Sequence, residues 1–288
     1  MQGDNSICSP FFVLSHLHPI TMSDSTNYID INRKSWNSKV PIHVDSAFYD
    51  VAGFKAGQSS LKEIELGLLG DIKGKSVLHL QCHFGQDTIS LSRLGATTTG
   101  VDLSDKAIDV AQRLAKELGS NATFICCDIY DLPTHLDREF DIVFTSYGTI
   151  GWLPDMDKWA KIVSKYLKPG GKFVFAEFHP FIWMYDDDFE SVAYNYFKYA
   201  PIIETNTGTY ADKGADLVQQ NITWNHSISE VVNSLISNGL EINVLNEYDY
   251  SPYNCLNHMV EISAGKYIIE KFGNKIPMVY AILATKKG

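Results

Sequence analysis

Residues 77–88 read VLHLQCHFGQDT. The stretch opens as a buried strand over 76–81 and runs into residues that begin a helix, so a sharp turn must lie between them. In a nucleotide-binding fold such a turn is usually rich in glycine, which lets the backbone approach a pyrophosphate closely. This turn holds one glycine, Gly85. Gln81 and His83 stand at the other two positions, and their side chains obstruct that approach. The turn suits a nucleoside ligand without a pyrophosphate and disfavours a dinucleotide.

Outward from the turn, strands and helices alternate. Ser60-Leu-Lys-Glu63 reads as a capping box that opens a helix over 61–69. A short helix carrying Ile89, Leu91 and Leu94 stops at Gly95. TTTGVD (97–102), ATFICC (122–127), FDIVFTS (140–146) and KFVFAEF (172–178) read as strands. Ser104 can cap a helix whose Ala107, Ile108, Ala111, Leu114, Ala115 and Leu118 fall at helical spacing. Met156, Trp159, Ala160, Val163 and Leu167 form another stripe, ended by Lys168-Pro-Gly-Gly171. This alternation, with strands that are near-continuous apolar runs, predicts a Rossmann-like, doubly wound, mostly parallel α/β sheet covered on both faces.

The pattern breaks over 179–224. There YNYFKY (194–199), IIETNTGTY (202–210) and LVQQNITW (217–224) read as antiparallel strands of an inserted lid. A second capping box, Ser227-Ile-Ser-Glu230, opens a helix ending at Gly239, and 241–248 and 277–285 read as the last two strands. The expected organisation is an N-terminal extension (1–25), a helical cap (26–70), a Rossmann-like domain (71–178 and 225–288) and the lid (179–224).

Open α/β sheets bind ligands outside the carboxyl ends of their strands. Asp102 ends the second strand about 20 residues after the first turn, where an acid accepts hydrogen bonds from ribose hydroxyls. The competing reading, an acid that only favours a helix dipole, explains the position less well. Asp128 ends the third strand, where it can accept from an adenine amino group with Ile129 packed on the ring.

Three successive strand ends with polar groups, together with LKPGGKFVF (167–175), resemble the class I S-adenosylmethionine-dependent methyltransferases. The resemblance covers about residues 70–178, and the last strands more weakly. It implies a seven-stranded sheet with a reversed final hairpin and S-adenosyl-L-methionine as cofactor. The cofactor would lie against the loop carrying Gln81, His83 and Gly85, with Asp102 and neighbouring Leu103 at the ribose and Asp128 and Ile129 at the adenine. Ser146 and Tyr147 would line the methionine end. The usual acid of the first strand is replaced by His79, which leaves Gln81 and His79 as candidates to meet the ammonium. Trp36 and Tyr49 could fold over the cofactor.

Net charge is −10, and no basic run is longer than Lys286-Lys287, so a nucleic-acid partner is disfavoured. The Asn/Asp-Pro-Pro-aromatic motif of amino-group methyltransferases is missing after the fourth strand, and no Pro-Cys pair occurs. A small-molecule substrate is the expectation, with a protein substrate left open, no membrane, no metal and an open oligomeric state. The five cysteines have no zinc-like or paired spacing and read as reduced thiols of a cytoplasmic protein. Residues 7–20 are apolar, but no Lys or Arg precedes them, unlike a signal peptide. His179, directly after the fifth strand, is the candidate general base for a hydroxyl acceptor. The competing reading is a histidine that pins the chain before Pro180. Two other functions stay open at this point: a non-catalytic nucleoside-binding protein and, against the turn, an NAD-dependent oxidoreductase.

Overall fold

A computed structural model describes residues 28–288, and the 1–25 extension lies outside the described residues. Three helices come first: α1 (Tyr28–Asp45), α2 (Val51–Lys55) and α3 (Glu63–Leu69). The alternating region follows as β1 (Ser76–Leu80), α4 (Gln86–Arg93), β2 (Thr97–Asp102), α5 (Asp105–Glu117), β3 (Thr123–Cys126), β4 (Phe140–Ser146), α6 (Met156–Tyr166) and β5 (Leu167–Phe178). Then come β6 (Ile202–Thr207), β7 (Val218–Thr223), α7 (Ile228–Ser237), β8 (Leu240–Tyr248), β9 (Met259–Ser263), β10 (Lys266–Ile269) and β11 (Val279–Lys286).

Seven strands form one sheet in the order β3-β2-β1-β4-β5-β11-β8. The first five run parallel, and β11 is antiparallel to both β5 and β8. Each parallel crossover carries its chain over a face of the sheet, so both faces are covered. On one, Trp159 and Tyr166 of α6 pack with Phe173 and Phe175, all fully buried. On the other, Leu69, Ile72 and Leu91 cover Val77, Phe144 and Val174. The register pairs Leu80 with Val101, Asp102 with Cys126, and Ser146 with Ala176. The carboxyl ends of the parallel strands therefore share one rim. No helix of the described residues is long and apolar enough to cross a membrane.

Four expectations change. The helix predicted from Ser60 begins at Glu63: Glu65 accepts the Lys62 N–H at 2.5 Å, while Ser60 bonds Ser90 on α4. The fifth strand starts at Leu167, which pairs with Phe140; Lys168–Gly171 bulges out, with Gly170 at φ 74°, before pairing resumes at Ile142↔Lys172. Residues 194–199 form no strand; the lid sheet is β6–β7 alone, paired from Ile202↔Thr223 to Thr207↔Val218. The hairpin β9–β10 was not anticipated; its four-to-five-residue strands carry little apolar alternation.

Helix α1 explains why the cap has no apolar signature. Its buried residues include Asn32, Ser35, Lys39 and His43, which recur at helical spacing as a polar stripe. The stripe docks on the lid. Asn32 donates to the Ile222 carbonyl at 2.8 Å and accepts the Ile222 N–H at 2.9 Å, and Ser35 donates to Asn221 at 2.5 Å. Hydrogen bonds join this stripe of α1 to β7.

Candidate active site

A cavity of about 790 Å³ opens at the carboxyl rim, under α1 and the β6–β7 hairpin. All ten residues expected at the cofactor border it; His179 does not. Six described residues other than glycine have left-handed φ, and five of them border the cavity: Asp50, Gln81, His83, Tyr147 and Phe189. Each such residue costs ~1 kcal/mol or more, and strain of this kind gathers at ligand sites.

The first turn reaches the conformation that glycines usually supply, but with side chains: φ is 57° at Gln81 and 50° at His83. Gly85, at φ 83°, answers a different need. A Cβ there would stand 2.7 Å from the Phe124 ring and 2.9 Å from Ala111, so Gly85 lets the turn pack on β3 and α5. Gln81 donates to the Thr149 carbonyl at 2.8 Å, and its Oε1 is buried without a partner. Asp102 accepts the His83 N–H at 2.7 Å and the Ser104 N–H at 2.8 Å, tying the turn to the end of β2. Burial pushes its carboxyl up to about 6. Asp128 caps a short 3-10 turn, accepting the Tyr130 N–H at 2.6 Å, and burial raises its pKa as well. Ile129 is buried beside it.

Histidine 79, the other candidate for the ammonium, is buried against Phe144 with Nδ1 2.8 Å from the Thr88 hydroxyl. Burial lowers its pKa to about 4. It has replaced an acid with a neutral group. A carboxylate is nonetheless present in Asp87, in the first turn of α4, which the sequence reading did not single out. Asp87 borders the cavity and accepts from Ser146 at 3.2 Å.

The post-β4 segment hangs from one side chain. Glu177, 2% exposed near the end of β5, accepts the N–H groups of Thr149 (2.7 Å), Ile150 (3.2 Å), Phe178 (2.7 Å) and Gly148, plus the Thr149 hydroxyl. An acid inside the apolar run KFVFAEF was the available signal for it. Next in this segment, Tyr147 donates to Glu65 at 2.8 Å. Burial first, then the nearby Asp87 charge, pushes the Glu65 carboxyl up to about 7. A carboxyl raised this way makes the fold less stable as pH climbs from the ordinary glutamate value through 7. Glu65→Gln removes that cost. By linkage, the variant should gain about 2 kcal/mol on wild type between pH 5 and pH 8.5. Urea unfolding at the two pH values measures the difference, and a pH-independent gap would refute it.

His179 corrects the expectation of a general base. Its Nδ1 accepts the Phe181 N–H at 3.1 Å and its Nε2 meets Glu247 at 2.8 Å, so both ring nitrogens are engaged away from the cavity. It pins the chain around Pro180, as the competing reading held.

Cap and lid meet over the cavity through aromatics. The Tyr49 and Tyr210 hydroxyls are 2.5 Å apart, and Phe48 stacks on Tyr253 from the loop after β8. His43 Nδ1 lies 2.9 Å from His83 Nε2, and burial lowers both pKa values, so the pair is neutral.

Comparison with known proteins agrees with this geometry. Residues 77–171 match the family model for a methyltransferase domain. Over 105 residues the chain is 37% identical to a ubiquinone biosynthesis O-methyltransferase of Coxiella burnetii (strain RSA 493 / Nine Mile phase I), covering 36% of this chain and 44% of that protein. The chain thus spans less than half the length of that curated relative. Among solved structures, a geranyl diphosphate C-methyltransferase from Streptomyces coelicolor A3(2) aligns over 90% of this chain and 97% of its own, with TM-score 0.56 and 16% identity. An S-adenosylmethionine-dependent methyltransferase from Clostridium acetobutylicum aligns over 89% and 99%, with TM-score 0.53 and 19% identity. At such identities the structures speak for the fold. Residues 77–171 thus match the methyltransferase-domain family, and the chain has the fold of S-adenosylmethionine-dependent methyltransferases.

Proposed function

We propose that this protein transfers a methyl group from S-adenosylmethionine to a nucleophilic oxygen, nitrogen or sulfur of a small molecule. One observation carries the reading: the first turn, Asp102 and Asp128, from three successive strand ends, border one cavity roofed by cap and lid. The groups fit a cationic nucleoside. Asp102 spends one hydrogen bond per oxygen on the backbone, which leaves acceptor capacity for two ribose hydroxyls. Asp128 and Ile129 would hold the adenine. The unpartnered Gln81 Oε1 and the Asp87 carboxylate supply acceptors for an ammonium. When bound, S-adenosylmethionine supplies an electrophilic methyl on a sulfonium. The chain's own contribution is to align the acceptor with that methyl and to exclude water, which the Tyr49–Tyr210 contact between cap and lid serves.

The curated relative named as an O-methyltransferase supports a hydroxyl acceptor. The described cysteines are unpaired, which goes with a cytoplasmic setting. Incubation with methyl-labelled S-adenosylmethionine and a panel of phenols, amines and thiols tests the proposal. Label should move to at least one acceptor class. Cofactor binding without turnover on any acceptor would instead favour a non-catalytic binding protein.

A further inference from the structure

We propose that Lys39 is the recognition point for an oxyanion on the methyl acceptor, so that the acceptor class is an anionic small molecule. This rests on reading the cavity as a methyl-transfer site. Lys39 borders the cavity and is 5% exposed. Its ammonium faces the corner made by two touching indoles, 4.8 Å from the Trp36 ring centre and 4.9 Å from that of Trp152, which are themselves 5.1 Å apart and edge-to-face. It donates one long hydrogen bond, 3.3 Å to Asn221 Oδ1, an oxygen that also accepts from Ser35. Among the described residues no carboxylate lies within 4 Å of it, whereas the lysines that do form ion pairs there are all at least partly exposed.

An ammonium has three donors, and the indole faces compensate only part of what water gave it. A buried cation without a counter-charge is costly. Burial lowers the Lys39 pKa to about 8, which leaves it mostly protonated near neutrality. The neighbouring His43 and His83 are neutral and supply no negative charge. The missing partner must therefore enter through the cavity. On a chain of net charge −10, one desolvated cation is also what admits an anion that the rest of the surface repels. The contacts around Lys39 come from the cap (Trp36), the lid (Asn221) and the segment after β4 (Trp152). They do not come from the ends of β2 and β3, where the acids that suit the nucleoside stand. That assigns its anion to the acceptor half of the cavity.

Calorimetric titration of wild type and Lys39→Met with benzoate, phenyl phosphate and neutral benzamide tests this, each with and without saturating S-adenosylhomocysteine. Wild type should prefer an anionic probe to benzamide by about tenfold or more. Lys39→Met should lose that preference, keep S-adenosylhomocysteine affinity within about twofold, and melt no lower than wild type, because it removes an unpaired buried charge. Equal binding of all three probes by wild type overturns the proposal. So does a tenfold or greater loss of S-adenosylhomocysteine affinity in Lys39→Met, which would give the lysine to the cofactor's own carboxylate. If wild type does not bind S-adenosylhomocysteine, the methyl-transfer reading fails, and the titrations without it still decide whether Lys39 selects an anion. Should Lys39→Met not fold, NMR titration of the wild-type lysine decides: pairing with benzoate raises its pKa, and an unchanged pKa contradicts the proposal.

Discussion

Glu177→Ala should destabilise the protein by about 4 kcal/mol. The carboxylate, buried near the end of β5, accepts four backbone N–H groups and one hydroxyl. Removing it orphans those donors, and each buried unpaired donor costs about 1–3 kcal/mol. Partial relaxation keeps the total below the sum. Glu177→Gln should be nearly as harmful, because an amide NH₂ would face N–H groups that need an acceptor. Function should fall with stability, since the freed segment carries Tyr147 and Trp152 to the cavity. Urea unfolding measures the loss; a change below about 1 kcal/mol would mean the loop is held by something else.

Asp102→Ala should weaken S-adenosylhomocysteine binding by about 100-fold, which is near 3 kcal/mol. Two losses combine: the charge-assisted acceptor for ribose hydroxyls, and the anchor that holds the His83 amide and so the first turn. Stability should fall less, by about 1–2 kcal/mol, because Ser104 keeps its capping bond to Ala107 and the freed His83 residue borders the cavity. Burial sets the carboxyl near 6, and the ionised form is the better acceptor, so wild-type affinity should decline as pH drops through 6. The Asp102→Ala variant should lack that decline. An affinity that stays within a few-fold of wild type, with the same pH profile, would remove Asp102 from the ligand contacts.

Much of the sheet was legible because its strands are buried on both faces and so are written as unbroken apolar runs. Asp102 and Asp128 were legible because a strand end fixes a position in space without any knowledge of side-chain contacts. What failed to read had physical causes. Helix α1 was expected only as part of a helical cap; it buries a polar stripe, so hydrophobic periodicity gives no bounds for it. YNYFKY has strand-forming residues but no partner strand, and Phe197 and Tyr199 end up exposed. His179 sits where a base would be useful, yet its role depends on Glu247, a partner far along the chain that no local pattern reveals. Lys39 and Asp87 look like ordinary helix residues until the fold closes over them.

Calorimetric titration of the intact protein with S-adenosylhomocysteine and, separately, with NAD bears on the whole reading. The turn at Gln81–Gly85 and the acids at Asp102 and Asp128 predict micromolar binding of S-adenosylhomocysteine and none of NAD. Binding of NAD with no heat from S-adenosylhomocysteine would contradict it, and would mean that side chains at Gln81 and His83 do accommodate a pyrophosphate.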